Sequence, residues 1–531
     1  MEISLIYPSN EHYLNHIDGK DNPNISNEVL NELGLNSIID LQSSRLCDFF
    51  TMDIEVIKYR QSVFEDMLTN PELSDILTKL TPILSDIAEL RRLSSDADEN
   101  DSYLYSITEI ELYITCMDLM STEFSPLRGK FKSEALVKLA ERVKELTESE
   151  YYVDLNERLK ELTSRVREIK SVTIGVNLDA RLRPETAGVL SVNNEKFKSG
   201  DLLQKILRLD FKTDEYTCIA SLQPFAKSNN ENQQNALNYA FNNALNTVFK
   251  SSMRSWKKVV QAYVLENADF LIKLLPEIEF LVKITELINK LKNTGNDLCF
   301  PKIQAVESKA FDVKSIYNPV VAYKLDKKMV ENDFAFDENG MFYILSGPNR
   351  GGKSVISCAV GLTFVLTQLG ACAPAKEAVV SPVDGIFTHF PTGSDDTIDK
   401  GRLGEECARL DEIFNEVTEY SLVILDETLS STGSFEASYI ASEIISGFSM
   451  AKCRGIFSTH LHELTSMLDD INEKCTSDGG AKIDTLVAGM EEGERSFKIS
   501  RKKPDGRSYA RDIASKYGIS LENILKKISK K

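Results

Sequence analysis

With 531 residues, 42% of them hydrophobic and 27% charged, the chain is long enough for roughly three or four globular domains and has no low-complexity tract. Its 62 basic and 81 acidic residues leave a net charge of −19, which repels nucleic acid and anionic membranes at long range, so any DNA contact must come from a local basic patch. No apolar stretch approaches the roughly 20 residues of a membrane span, and the N-terminus lacks a basic region followed by an apolar one; the expectation is a soluble, cytoplasmic protein whose nine cysteines, with no CxxC pair, are reduced thiols.

Apolar residues recur at steps of three and four over most of the first 300 residues, a helical pattern with few Pro or Gly. In SEALVKLAERVKEL the stripe is Leu136, Leu139, Val143 and Leu146; in LNERLKELTSRVREIK it is Leu155, Leu159, Leu162, Val166 and Ile169. The spacer TESEYYVD is short, which predicts an antiparallel pair with charged outer faces. SVTIGVNLDARLRPETAGVLSV follows, with β-branched runs around a polar middle, and reads as a hairpin or small sheet. Helices return after residue 216, and Pro276 inside NADFLIKLLPEIEFLVKITELINKLKN is expected to kink or restart its helix. Near residue 300 the texture changes to short apolar runs (FYIL, AVV, LVIL, GIFST) alternating with helical segments, the pattern of a parallel sheet covered on both faces.

GPNRGGKS, at 347–354 after FYIL, satisfies G-x-x-x-x-G-K-[ST] between a strand and a helix. In such a loop, glycines turn backbone N–H groups toward phosphate oxygens and the helix N-terminus adds partial positive charge. Lys353 then reaches the β- and γ-phosphates, and the Ser354 hydroxyl ligates Mg²⁺. SLVILDE places Asp426 at a strand end to hold the Mg²⁺ shell, with Glu427 beside it to orient or deprotonate the attacking water. A third run, RGIFST, leads to His460, placed to sense the γ-phosphate or fix the water, with a purely structural histidine as the alternative. ATP and Mg²⁺ are the expected ligands.

The ordered blocks GPNRGGKS, QLGACAPA, GSDD, KGR, LVILDE and STHLHEL resemble the ATPase domain of the MutS family, a branch of the ABC-type ATPases. YNPVV and VENDF are similar to the family's segments before the loop, and SYARDIASKYGIS to its C-terminal dimerisation element. SVTIGVNLDARLRP resembles the stretch around the family's clamp, and SRLCDFFTMDIEVIKYRQSVFEDML the start of its helical core. The resemblance implies a multidomain protein: a helical core over 1–130, clamp-like helices and a hairpin over 131–215, returning lever helices over 216–310, and an α/β P-loop ATPase domain over 311–531. Carried over by motif, Gly347, Pro348, Asn349, Arg350, Gly351, Gly352, Lys353 and Ser354 would bind nucleotide, Ser354 and Asp426 the metal, and Phe334 would stack on adenine. Glu427 and His460 would act in hydrolysis, within a homodimer that closes a clamp around DNA.

Departures from the family pattern shape the functional expectation. By this resemblance the chain is expected to start at the helical core, without the domain that carries the mismatch-reading Phe-x-Glu, and to lack the family's terminal nuclease-like domain after SYARDI. Leu403 and Gly404 stand where the family has a Ser-Thr pair reaching across the dimer, and Ser430, Ser431 and Thr432 replace a Gly-Arg-Gly-Thr-Ser run. Arg158, Arg165, Arg181 and Arg183 are candidate DNA-phosphate contacts, which a solvated helix face explains equally well; a second cluster, Lys250, Arg254, Lys257 and Lys258 around Trp256, reads as helix surface. Three readings remain: an ATP-dependent DNA clamp in mismatch repair or recombination control, the same ATPase acting on a protein or ribosomal partner, and a nucleotide-gated structural dimer with negligible turnover.

Overall fold

The computed structural model describes residues 3–95, 102–167, 171–178, 180–181, 184–193, 198–199, 217–218, 263, 265–348, 351–390, 402–429, 432–491, 494–503 and 521–528. It divides into two compact units, one of residues 1–74, 132–135 and 276–531, the other of 75–131 and 136–275.

The first unit is built on a six-stranded sheet: β1 (Phe342–Ser346), β2 (Ile386–His389), β3 (Leu422–Asp426), β4 (Arg454–Ser458), β5 (Ile483–Glu491) and β6 (Glu494–Arg501), in the order β2-β3-β4-β1-β5-β6. The first five in that order are parallel, and β6 closes the edge antiparallel to β5. Every residue of β1, β3 and β4 is buried, which is why FYIL and LVIL are continuous apolar runs; a strand covered on both faces has no solvent side on which to alternate. Helices that cover the sheet include α1 (Lys353–Gln368), α2 (Arg402–Glu416) and α3 (Ser434–Ala451). Leu410 and Ile413 of α2 and Ala437, Ala441, Ile445 and Phe448 of α3 join Phe342, Ile344, Val423 and Leu425 in one core. There the rings of Phe414 and Phe448 stack at 4.3 Å.

A second, four-stranded sheet is made by Lys302–Ile303, Glu377–Val380, Phe311–Ile316 and Asn332–Phe336. The N-terminal segment packs into the same unit. Asn24 pairs beside β2, its N–H donating to Asp384 O at 2.7 Å and its carbonyl accepting from Ile386 N–H at 3.0 Å. Behind it the fully buried Arg60 donates Nε to Ile6 O at 3.1 Å, donates Nη1 to Phe49 O, and lies over the Tyr7 ring. Glu277, also buried, accepts from Ser4 Oγ at 2.8 Å and Leu5 N–H at 2.6 Å, and burial pushes its carboxyl up to about 7.

In the second unit, the helix Glu134–Thr147 buries Leu136, Leu139, Val143 and Leu146, the stripe read from its spacing. The next helix, Glu150–Arg167, buries Leu155 and Leu159, and Tyr152 Oη donates to Asp118 at 2.8 Å. Strands Ser171–Leu178 and Pro184–Asn193 form an antiparallel hairpin. One helix runs from Leu265 to Asn293 through Pro276, so the chain does not restart there. Buried Leu271, Leu274, Leu275, Ile278 and Phe280 supply packing that offsets the lost hydrogen bond. Among the described residues no helix is long and apolar enough to cross a membrane.

Candidate functional site

The parallel register lines up the C-terminal ends of three neighbouring strands, with Asp426 beside Ser458 and Ser458 beside Leu345. In open α/β sheets this edge is where ligands bind. Residues 347–352 connect β1 to α1. Gly347 (φ 138°) and Gly352 (φ 94°) adopt backbone conformations that side chains resist, and a Cβ on Gly347 would lie 2.8 Å from Ala488 Cβ. Gly351 N–H donates to Pro348 O at 3.0 Å. Asn349 and Arg350 lie outside the described residues.

Lys353, only 4% exposed, folds its ammonium back into this loop, donating to Gly347 O at 3.2 Å and Pro348 O at 3.4 Å. Its Nζ also lies 3.0 Å from Nε2 of His460, and the same Nε2 lies 3.0 Å from Glu427 Oε1. A single ring nitrogen serves one of these at a time: bare, it accepts from Lys353; protonated, it donates to Glu427. Burial lowers the Lys353 pKa, opposed by the charges of Glu427 and Asp426. His460 is carried past the end of β4, where Thr459 N–H still pairs with Leu345 O at 3.0 Å and Thr459 Oγ1 accepts from Leu461 N–H at 3.1 Å. Loop lysine, strand-end glutamate and histidine, some 107 residues apart at the extreme, thus meet at one point.

Asp426 is buried, which raises its pKa, while the hydroxyls of Ser354 and Ser458 lower it. Its Oδ1 is enclosed without a hydrogen-bond partner. An orphaned carboxylate oxygen next to the Ser354 hydroxyl is a hard-oxygen donor pair of the kind Mg²⁺ accepts, so these residues fit that ion.

Phe334 sits elsewhere than expected of a ring that stacks on a base. It is 5% exposed in the second sheet, with its ring against Phe336 and Tyr343, and offers no open face. Beside the loop there is instead a cleft of about 310 Å³ whose lining includes Tyr317, Met329, Val330, Gly352, Val355 and Phe497. Asn332 shapes it, donating Nδ2 to Phe497 O at 3.2 Å and accepting from Ile499 N–H at 2.7 Å. YNPVV, VENDF and the loop each supply part of its wall, but only the fold brings residues 316–332, 352–359 and Phe497 together around one space.

Of the basic candidates, Arg158 is exposed and ion-paired to Asp154 at 2.8 Å, one helical turn away, and Arg181 is exposed at the hairpin turn. Arg165 lies in the helix Glu150–Arg167, with its side chain outside the described residues. Arg183, Ser430, Ser431, the GSDD segment, the cluster around Trp256 and the SYARDIASKYGIS segment are likewise outside the described residues.

Residues 343–518, which hold the loop and strand-end residues, match the MutS domain V model, and residues 52–294 match the MutS2 N-terminal domain model. The DNA mismatch repair protein MutS of Prochlorococcus marinus (strain MIT 9312) is 32% identical over 214 residues, covering 39% of this chain and 22% of that protein. DNA mismatch repair protein MutS 1 of Haloarcula marismortui is 32% identical over 233 residues, covering 42% and 24%. The MutS of Fervidobacterium nodosum is 30% identical over 250 residues, covering 45% and 29%. The chain spans less than a third of the length of each of these relatives. A MutS domain V over the loop and strand-end site, with a MutS2-type N-terminal domain before it, makes this chain a member of the MutS family.

Proposed function

We propose that this protein is a MutS-like ATPase that hydrolyses ATP at a dimeric composite site to gate a clamp on DNA, in mismatch repair or recombination control. The observation that carries the reading is the meeting of Lys353, His460 and Glu427 at the C-terminal edge of the sheet, next to a glycine-rich loop and a helix N-terminus. The loop residues Gly347, Pro348, Asn349, Arg350, Gly351 and Gly352 wrap the phosphates through backbone N–H groups. Lys353 exchanges its two carbonyl partners for β- and γ-phosphate oxygens. Ser354 and Asp426 would hold Mg²⁺, which when bound neutralises charge on the phosphates. Glu427 orients the attacking water as general base, and His460, released from Lys353, follows the γ-phosphate. Met329, Val355 and Phe497 receive the adenine in the cleft beside the loop.

DNA is held through its phosphates by Arg158, Arg165, Arg181 and Arg183, without base reading. The net charge of −19 favours keeping a second reading, in which the same ATPase acts on a protein or ribosomal partner. Steady-state hydrolysis by wild type and Glu427→Gln, with and without homoduplex, mismatched and four-way-junction DNA at two salt concentrations, tests both. Glu427→Gln should keep nucleotide binding and lose at least about 100-fold in turnover. Salt-sensitive stimulation or suppression by DNA supports the clamp, indifference to all three DNAs moves the reading to a non-DNA partner, and no turnover by wild type rejects the ATPase.

A further inference from the structure

The turn that carries Glu427 is held in a conformation it would not choose alone. Glu427 (φ 50°) and Leu429 (φ 66°) both lie in the left-handed region, although neither is glycine. Such residues persist only where their surroundings over-determine them. Three contacts do so here. Glu427 N–H donates to Ser458 O at 2.8 Å, which ties the turn to β4. The Thr428 hydroxyl lies 3.1 Å from Nδ1 of His389, the last residue of β2. Leu429 N–H donates to Glu406 Oε2 at 2.8 Å, from the first turns of α2.

His389, Thr428 and Leu429 are each under 5% exposed, so the Thr428–His389 bond competes little with water, and the Leu429 amide donates to Glu406 from a buried position. Leu429 is also anchored by its side chain in the core that α2 helps to build. The turn therefore cannot rotate Glu427 toward or away from Lys353 and His460 without breaking the buried bond to β2 or the partly buried bond to α2.

We infer that Glu406 and His389 are positioning residues for hydrolysis: they hold the left-handed Glu427–Leu429 turn, so that the placement of α2 against β3 sets the direction of the Glu427 carboxylate. The inference rests on the ATPase reading for its kinetic consequence, while the clamp itself is testable without any turnover. Neither residue belongs to the motif of the loop or of the β3 and β4 strand ends.

Glu406→Ala removes the acceptor, whereas Glu406→Gln keeps a side-chain carbonyl that can accept from Leu429 N–H. The expected result for Glu406→Ala is a kcat lower by about tenfold or more with the affinity for a fluorescent ATP analogue within about twofold, and for Glu406→Gln a kcat near that of wild type. Amide hydrogen exchange should quicken about tenfold or more in the 427–429 segment of Glu406→Ala, and not in the rest of β3. Thr428→Val, which cuts the His389 bond, should act in the same direction. Unaltered exchange at 427–429 overturns the clamp, and so does a Gln variant no better than Ala, or a fall in affinity that matches the fall in kcat. A wild type without turnover would remove the ATPase reading and the kinetic role, leaving the exchange result to decide whether the turn is clamped.

Discussion

His389 lies at the end of β2, 4% exposed, with its Nδ1 3.1 Å from the Thr428 hydroxyl. Burial pushes its pKa down from 6.5 to about 4, helped by the positive charge of Arg409. A folded-state pKa below the unfolded value means that its contribution is fully present above pH 6.5 and lost as pH falls toward 4. Between pH 7.5 and pH 5 the imidazole charges in the unfolded chain but stays neutral in the folded one, which costs the folded state about 2 kcal/mol, rising to about 3 kcal/mol below pH 4. The perturbation is His389→Gln, an uncharged side chain that can still reach the Thr428 hydroxyl. Urea unfolding followed by circular dichroism at pH 7.5 and pH 5, for wild type and variant, isolates the term, because every other titrating group is common to both. Wild type should lose about 2 kcal/mol more than the variant across that interval. Equal losses in the two proteins would show that His389 is not held neutral by its surroundings and would refute the argument.

Glu277 titrates with the opposite sign: its folded-state pKa of about 7 lies above the unfolded 4.5, so stability present at low pH is lost as pH rises through 7. Glu277→Gln should flatten the decline between pH 5 and pH 8 by about 2 kcal/mol in the same urea assay, and an unchanged slope would count against the buried, protonated carboxyl. Met329→Ala should weaken ATP binding about tenfold in a fluorescence titration while Phe334→Leu leaves it unchanged, because Met329 lines the cleft by the loop and Phe334 is packed in the second sheet; the reverse order would return the base to Phe334. Gly370 (φ 79°) has no room for a methyl group, since a Cβ would fall 2.4 Å from Arg60 Cβ, and Gly370→Ala should lower stability by about 2 kcal/mol or more, read as a drop in Tm.

Features written into consecutive residues were legible before any coordinates. The loop between FYIL and α1 is local chemistry, in which glycines, lysine and serine must stand at fixed offsets for a backbone cradle to form. The stripe Leu136, Leu139, Val143 and Leu146 is equally local, because helical geometry brings those positions to one side whatever they pack against. The fully buried strands could be read from their unbroken apolar runs, though not their order in the sheet.

Other features depend on contacts between distant residues, which periodicity and local propensity do not encode. Pro276 has the strongest helix-breaking propensity of any residue, yet buried neighbours on both sides carry the helix through it. Phe334 falls within a motif-like stretch, and only strand pairing decides that its ring turns into the core rather than toward the cleft. Asn24 joins β2 across more than 350 residues of chain, and Glu406 meets the amide of Leu429 from a different helix. The amino-acid sequence by itself determined which groups with phosphate-binding and acid-base chemistry are present and which local elements carry them. Only the tertiary structure decided that one nitrogen of His460 stands 3.0 Å from both Lys353 and Glu427, because the parallel register of β1, β3 and β4 brings three strand ends to the same edge.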